Sequence, residues 1–274
     1  MGNYIIKKIL NNNAVIATKD DVEVILTGKA IGFDLKKDSI IPNYRINSVF
    51  VKASSTNEDY TSILNSIDKN ILGISEEIIY MCEEKLKVKL NKAIHISLPD
   101  HISFAITRLK QNIKIENPFL KDLAILYPKE YELASKAVSL VNNRLGIRFP
   151  DGEIGFICLH INAAIHSQNV NESISYTKKI NETITLISKL LKRDFDKNSM
   201  EYVRTVTHLK FMLERTLSGK PIKNPLLNSI KKEFYHEFDT GIKIALKIES
   251  LFNVRVSEDE IGYIALHLKR LCEI

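Results

Sequence analysis

The chain has 274 residues, of which 45% are hydrophobic and 26% charged, with only 10 glycines and 7 prolines. That is too apolar and too sparing in Gly and Pro for a disordered chain. No apolar run approaches the roughly 20 residues of a membrane-spanning helix, and the N-terminus has no charged-apolar-small signal pattern, so a cytoplasmic protein with no membrane insertion is expected. Cys82, Cys158 and Cys272 are isolated thiols without C-x-x-C spacing, which fits a reducing compartment and argues against a zinc framework or a disulfide scaffold. A net charge of +6 is compatible with a nucleic-acid partner and does not by itself argue for one.

At roughly 100 to 150 residues per domain, the length predicts two or three domains. Residues 4–10, 14–18, 22–27 and 45–51 are β-branched or aromatic runs between turn formers, with turns at Asn11-Asn12-Asn13 and Lys19-Asp20-Asp21. They predict a four-stranded antiparallel meander that is marginal in size alone and is therefore expected to dimerise. The polar stretch 52–60 (KASSTNEDY) reads as a linker, and helical spacing begins at 62–90, with Ile63, Ile67, Ile71, Ile78, Ile79 and Leu86 as its apolar positions.

A search for self-similarity finds one constant offset of 107 residues. It relates His101 to His208, Arg108 to Arg215, Asn117-Pro118 to Asn224-Pro225, and the segment 153–160 (EIGFICLH) to 260–267 (EIGYIALH). Across 98–163 against 205–270, 16 of 66 pairs are identical without a gap. The chain is thus expected to be a multidomain α and β protein: a small N-terminal four-stranded antiparallel sheet domain, then two homologous all-α helical bundles. Proline after Asn117 and Asn224 breaks the same helix in each copy.

Core packing accounts for Phe104 with Phe211 or Leu159 with Leu266. Keeping four histidines in register asks for more. His101 precedes Arg108 by seven residues and His160 follows Glu153 by seven, about two helical turns, so each pair shares a face, as do their counterparts with Arg215 and Glu260. Such an imidazole can ligate a metal, exchange protons, accept a phosphoryl group, or simply be buried and satisfied. No His-x-x-x-His pair, Gly-rich phosphate loop or G-x-S-x-G motif supports the metal or hydrolase readings. His95, His166 and His236 have no partner at this offset and read as surface or helix-end residues, Cys158 as a small core side chain, and 189–193 and Lys231-Lys232 as solvated charge runs.

Residues 8–13 (KILNNN), 27–33 (TGKAIGF), Asp100-His101 and the two E-I-G-[FY]-I-x-L-H segments resemble the BglG/SacY family of bacterial transcriptional antiterminators over the whole chain. Residues 7–13 and 126–131 (LYPKEY) look most like its glucose-specific branch. The resemblance implies a co-antiterminator RNA-binding domain at 1–56 and phosphotransferase-system regulation domains at 57–172 and 173–274. It implies no enzymatic activity and no cofactor or metal. It implicates Lys8, Asn11, Asn13, Gly28, Lys29 and Phe33 in contacts made by a homodimer to an RNA hairpin overlapping a terminator. These residue types suit RNA contact, because amides bond base edges, lysines neutralise phosphate, glycine admits close approach and Phe33 can stack on an unpaired base. Ala30 stands where many members have a second glycine. The resemblance further implies reversible phosphorylation of His101, His160, His208 and His267 by the phosphocarrier HPr or a sugar-specific enzyme II, with Asp100, Arg108, Glu153, Arg215 and Glu260 as partners of the histidine or its phosphate. Phosphate on His101 or His160 is expected to inhibit. A DNA-binding activator would need a helix-turn-helix before the repeats, where 1–52 read as strands. An acid-base enzyme would turn over small phosphate substrates.

Overall fold

The computed structural model describes residues 3–11, 14–20, 22–28, 30–46, 48–51, 67–220 and 222–272. The polar stretch 52–60 and the start of the helical pattern at 62 lie outside the described residues. Five antiparallel strands come first: β1 (Tyr4–Asn11), β2 (Ala14–Lys19), β3 (Val22–Thr27), β4 (Ile40–Ile41) and β5 (Ser48–Val51). The sheet order is β4-β1-β2-β3-β5. The four expected strands are present, with a two-residue strand added beside β1 and the last one shortened by a 3-10 turn at Asn43–Arg45 that follows Pro42. The meander therefore holds for β1 to β3, while β4 and β5 go to opposite edges. The alternation expected of a one-sided sheet also fails at β2, where Ala14, Val15, Ile16 and Ala17 are all buried. Both faces of the central strand are covered, and small alanines permit that close approach.

Ten helices follow among the described residues: α1 (Lys69–Leu86), α2 (Ile94–Lys110), α3 (Leu120–Leu126), α4 (Pro128–Leu145), α5 (Gly152–Ile165), α6 (Val170–Leu191), α7 (Met200–Leu217), α8 (Leu227–Glu233), α9 (Tyr235–Phe252) and α10 (Glu258–Cys272). Asp68 caps α1 by accepting from the Asn70 amide at 2.7 Å, and Lys87 ends it in the left-handed conformation.

The 107-residue offset survives as geometry. Moved by 107, α3 and α4 fall on the bounds of α8 and α9, and α2 and α5 fall within a residue of α7 and α10. Gly146 after α4 and Asn253 after α9 both have positive φ, 63° and 53°. In the loops that follow, the Phe149 amide donates to Asn142 Oδ1 and the Val256 amide donates to Glu249 Oε1, each at 2.9 Å. One loop shape is thus held by two different side chains at one repeat position.

By contacts the chain forms two compact units, Met1–Asn117 with Lys129–Val170, and Pro118–Pro128 with Asn171–Ile274. The sheet core is Ile6, Val15, Ala17, Val24, Leu26, Ile31 and Ile41. Cys158 is fully buried in α5, as its replacement by Ala265 suggests. In the second unit α3, though encoded in the first copy, packs on α7, and its Asp122 is buried there.

Candidate functional site

Two constellations carry chemistry. The first is one end of the sheet. The register pairs Asn11 with Ala14, Ala14 with Thr27 and Thr27 with Ser48, so the end of β1 and the loop leaving β3 lie along one edge, about 10 Å apart across two strand spacings. Breaks in the β1 register between Ile6 and Lys8 and between Ile9 and Asn11 are bulges. The first turns Lys7 and Lys8 both outward, where strict alternation would have buried one of them. Lys8 is exposed on the strand leading to this end, Gly28 is buried, and Phe33 is 54% exposed. Asn13 and Lys29 lie outside the described residues.

The loop from Gly28 to Phe33 is built by two turns, in which the Ile31 amide donates to the Gly28 carbonyl and the Phe33 amide to the Ala30 carbonyl, and by the fully buried Ile31. Ala30 has φ 52°, the left-handed region where a second glycine would sit without strain. Arg45, to which no sequence motif points, spans the loop: its Nη1 donates to the Phe33 carbonyl at 3.1 Å and reaches the Ala30 carbonyl at 3.5 Å. An exposed aromatic ring on an arginine-clasped loop, on a sheet with outward lysines, is a surface suited to unstacked bases.

The second constellation is the histidines, which the fold gathers into two pairs, one in each unit. His101 on α2 faces His160 on α5 with ring centroids 4.8 Å apart. His208 on α7 faces His267 on α10 at 3.9 Å. In the first pair the Glu153 carboxylate, fully buried, is divided: Oε2 takes His101 Nε2 at 2.8 Å and Oε1 takes Arg108 Nη2 at 3.1 Å. Because a carboxylate only accepts, the His101 proton sits on Nε2, which leaves Nδ1 with its lone pair when the ring is neutral. His160 Nδ1 lies 3.3 Å from Ser97 Oγ. Burial, reinforced by the His101 charge, pushes the His160 imidazole down to about 3. Asp100 is exposed, and the partner brought to the His101 ring is Glu153.

In the second pair Arg215 takes both oxygens of Glu260, Nε at 2.8 Å and Nη2 at 2.9 Å, and among the described residues His208 makes no hydrogen bond to that carboxylate. Arg108 Nε, by contrast, is buried without a hydrogen-bond partner among the described residues, and its guanidinium lies over the Phe104 ring at 4.8 Å. His208 is lowered by partial desolvation and then by Arg215 and Arg270, against an opposing pull from Glu260. His267 is pushed down to about 4 by burial first, then by His208, Arg270 and Arg204. Ser97, Arg204 and Arg270 belong to no motif visible in the sequence and join the site only through the fold. His95 is not the surface residue its lack of a repeat partner suggests: its Nδ1 meets Glu76 Oε1 at 2.6 Å, with both side chains 9% exposed, because helical spacing puts it on the inner face of α2. His166 caps α5 and His236 is exposed. Among the described residues no group of three His, Cys, Asp or Glu side chains is placed to hold a metal.

A sheet that offers a basic, aromatic edge, followed by duplicated bundles that each bring two imidazoles face to face beside an Arg-Glu ion pair, defines an RNA-binding protein under phosphorylation-type control. Family models agree: the CAT RNA binding domain matches residues 4–59, and the PRD domain matches twice, at 76–164 and 181–271. The chain belongs to the BglG family of transcription antiterminators, regulators and not enzymes. It is 33% identical to Protein GlcT of Staphylococcus saprophyticus over 278 residues, covering 100% of this chain and 99% of that one. It is 31% identical to Transcription antiterminator LicT of Bacillus subtilis over 271 residues, covering 97% and 98% respectively. A crystal structure of GlcT CAT-PRDI matches with a TM-score of 0.46 at 39% identity, covering 60% of this chain and 99% of that one. No described helix is long and apolar enough to cross a membrane.

Proposed function

We propose that this antiterminator acts in the cytoplasm as a homodimer that binds an RNA hairpin overlapping a terminator in the leader of a sugar-phosphotransferase gene or operon, so that polymerase reads through. Its working parts are the RNA-binding domain at 1–56 and the regulation domains at 57–172 and 173–274, with Lys8, Asn11, Asn13, Gly28, Lys29 and Phe33 on the RNA. The glucose-specific branch is the subgroup its motifs fit best. Control comes from phosphorylation of His101, His160, His208 and His267, by a sugar-specific enzyme II at the first pair and by HPr at the second.

The observation that carries this reading is the gathering of the four repeat-related histidines into two ring pairs, each beside an Arg-Glu ion pair. A ring kept neutral by burial holds a free lone pair at neutral pH, as a nucleophile must. In transfer, that lone pair attacks the phosphorus of a donor phosphohistidine and the donor N–P bond breaks. Its electrons return to the donor nitrogen. At His101 the positive charge appearing on the ring meets the Glu153 carboxylate, as a buried carboxylate orients and stabilises an imidazolium elsewhere. Phosphate at this pair, placed at a dimer interface, repels its symmetry mate, which opens the dimer and withdraws the sheets from RNA.

The experiment is binding of the full chain to terminator-overlapping hairpins from upstream of sugar-transport genes, before and after phosphorylation by enzyme II and HPr. Specific, salt-sensitive binding, lost in Phe33→Ala and Asn13→Ala and reduced by phosphate on the first pair, is expected. Binding indifferent to phosphate would end the switch, and no binding to any such hairpin would end the RNA assignment.

A further inference from the structure

The two histidine pairs come from one repeat, yet their charged surroundings differ. Four residues before His208, one turn back on α7, stands Arg204. Three residues after His267, one turn on along α10, stands Arg270. Those spacings put each guanidinium on the face of its own histidine. The same repeat positions in the first copy are Ser97 and Ala163. Ser97 shows where the first of these positions points, since its hydroxyl lies 3.3 Å from His160 Nδ1; a longer arginine at the same place reaches the second pair. Among the described residues neither Arg204 nor Arg270 is held by a carboxylate, whereas Arg215 is anchored by Glu260. The second pair therefore has three arginines against one carboxylate. The first has Arg108 against Glu153, with Asp100 next to His101.

The rings also form part of the wall of a narrow opening, which Arg215 lines and which Arg204 and Arg270 do not. His208, His267, Thr205, Arg215, Glu260 and Tyr263 line one opening in the second unit. Unpaired guanidiniums around two neutral imidazoles make a site whose charge is unbalanced until an anion arrives, and arginine's planar fork matches phosphate oxygens.

We propose that Arg204 and Arg270, with Arg215, form a cradle for a phosphate dianion at His208 and His267, and that the first pair lacks one. It rests on the phosphohistidine reading for its biological use, though the cradle itself is a property of the folded chain. Phosphate on the second pair is neutralised within its own domain, and phosphate on the first pair is not.

The test titrates the unphosphorylated full chain with inorganic phosphate while the imidazole resonances of the four histidines are followed by NMR, assigned by single His→Gln variants. Saturable shifts at His208 and His267, with His101 and His160 unmoved, are expected. Arg204→Gln with Arg270→Gln should weaken that binding at least tenfold with the far-UV spectrum unchanged, and Ser97→Arg should give the first pair measurable binding. Equal shifts at both pairs, or binding indifferent to the arginine substitutions, would overturn the cradle. A parallel incubation with phosphorylated HPr separates the two readings. Phosphate binding without covalent transfer keeps the cradle and removes the phosphohistidine, and transfer to His208 or His267 that the arginine variants leave equally stable removes the cradle and keeps the phosphohistidine.

Discussion

Arg215 holds both oxygens of the Glu260 carboxylate, whereas Glu153 gives Arg108 one oxygen and turns the other to His101. Glu153 is fully buried and serves two donors, so Glu153→Gln leaves Arg108 without its counter-charge and gives His101 Nε2 an amide in place of a carboxylate. Breaking a buried pair from one side costs about 3 kcal/mol. Glu260→Gln should cost less, since Arg215 is 30% exposed and water can replace part of the bond. Thermal unfolding of the two variants side by side checks the order, and an equal loss would mean that His101 is indifferent to Glu153.

Stability should fall in acid through His160. Its folded pKa is about 3, below the ordinary 6.5, because burial and the neighbouring His101 charge disfavour its protonated form. Below pH 6.5 the unfolded chain takes up a proton that the folded chain refuses. The contribution is therefore complete above pH 6.5 and is lost as pH falls toward 3, at roughly 1.4 kcal/mol per unit, or about 2 kcal/mol between pH 6.5 and 5. His267 adds a smaller loss in the same direction, being lowered to about 4 in a more open place. Urea unfolding at pH 7 and pH 5 reads the slope, and His160→Gln should flatten it. A slope unchanged in that variant would assign the acid loss to other groups.

The loop that carries Phe33 offers a third outcome. Ala30 sits at φ 52°, where an L side chain crowds the following carbonyl, so Ala30→Gly relieves about 1 kcal/mol of strain against a smaller entropy cost in the unfolded chain. The variant should melt at the same temperature or slightly higher and bind RNA at least as well. Arg45→Ala releases the Ala30 and Phe33 carbonyls and should weaken RNA binding about tenfold, the scale of 1.4 kcal/mol for one charge-assisted clasp. A residue that positions the loop leaves the slope of log K against log salt unchanged. One that touches phosphate directly lowers that slope by about 0.7 to 0.9.

How much of this is visible in the sequence follows from where the information lies. The 107-residue repeat is legible because helix breaks and core positions recur in identity, and the helix bounds reproduce it nearly residue for residue. Pairing of the histidines is not, since a spacing of 59 residues says nothing of which helices pack. His95 misleads because a lone histidine on an apolar helix face looks the same in sequence whether it points to water or to Glu76. Strand β4 is two residues long, too short to show a period. Arg204 and Arg270 escape notice for a different reason: a comparison of the copies finds identities, and these two matter by differing from Ser97 and Ala163.

Asp122 supplies the last prediction. Its carboxylate is 1% exposed and accepts from Tyr202 Oη at 2.7 Å, Lys197 Nζ at 2.8 Å and Asn181 Nδ2 at 2.9 Å, all within the second unit. Desolvation, then this hydrogen bond and charge, push the Tyr202 phenol up, so it stays a donor at any working pH. The repeat equivalent is Ser229, so the network has no copy and is specific to seating α3 on α7. Asp122→Asn keeps the shape but turns one acceptor into a donor facing Lys197 and removes its counter-charge. The expected loss is about 3 kcal/mol. Asp122→Asn with Lys197→Met should recover a good part of it, because the uncompensated ammonium is then gone. A double variant no more stable than the single one would show that the cost lies in the Tyr202 and Asn181 bonds, and that α3 is held by hydrogen bonding and not by charge.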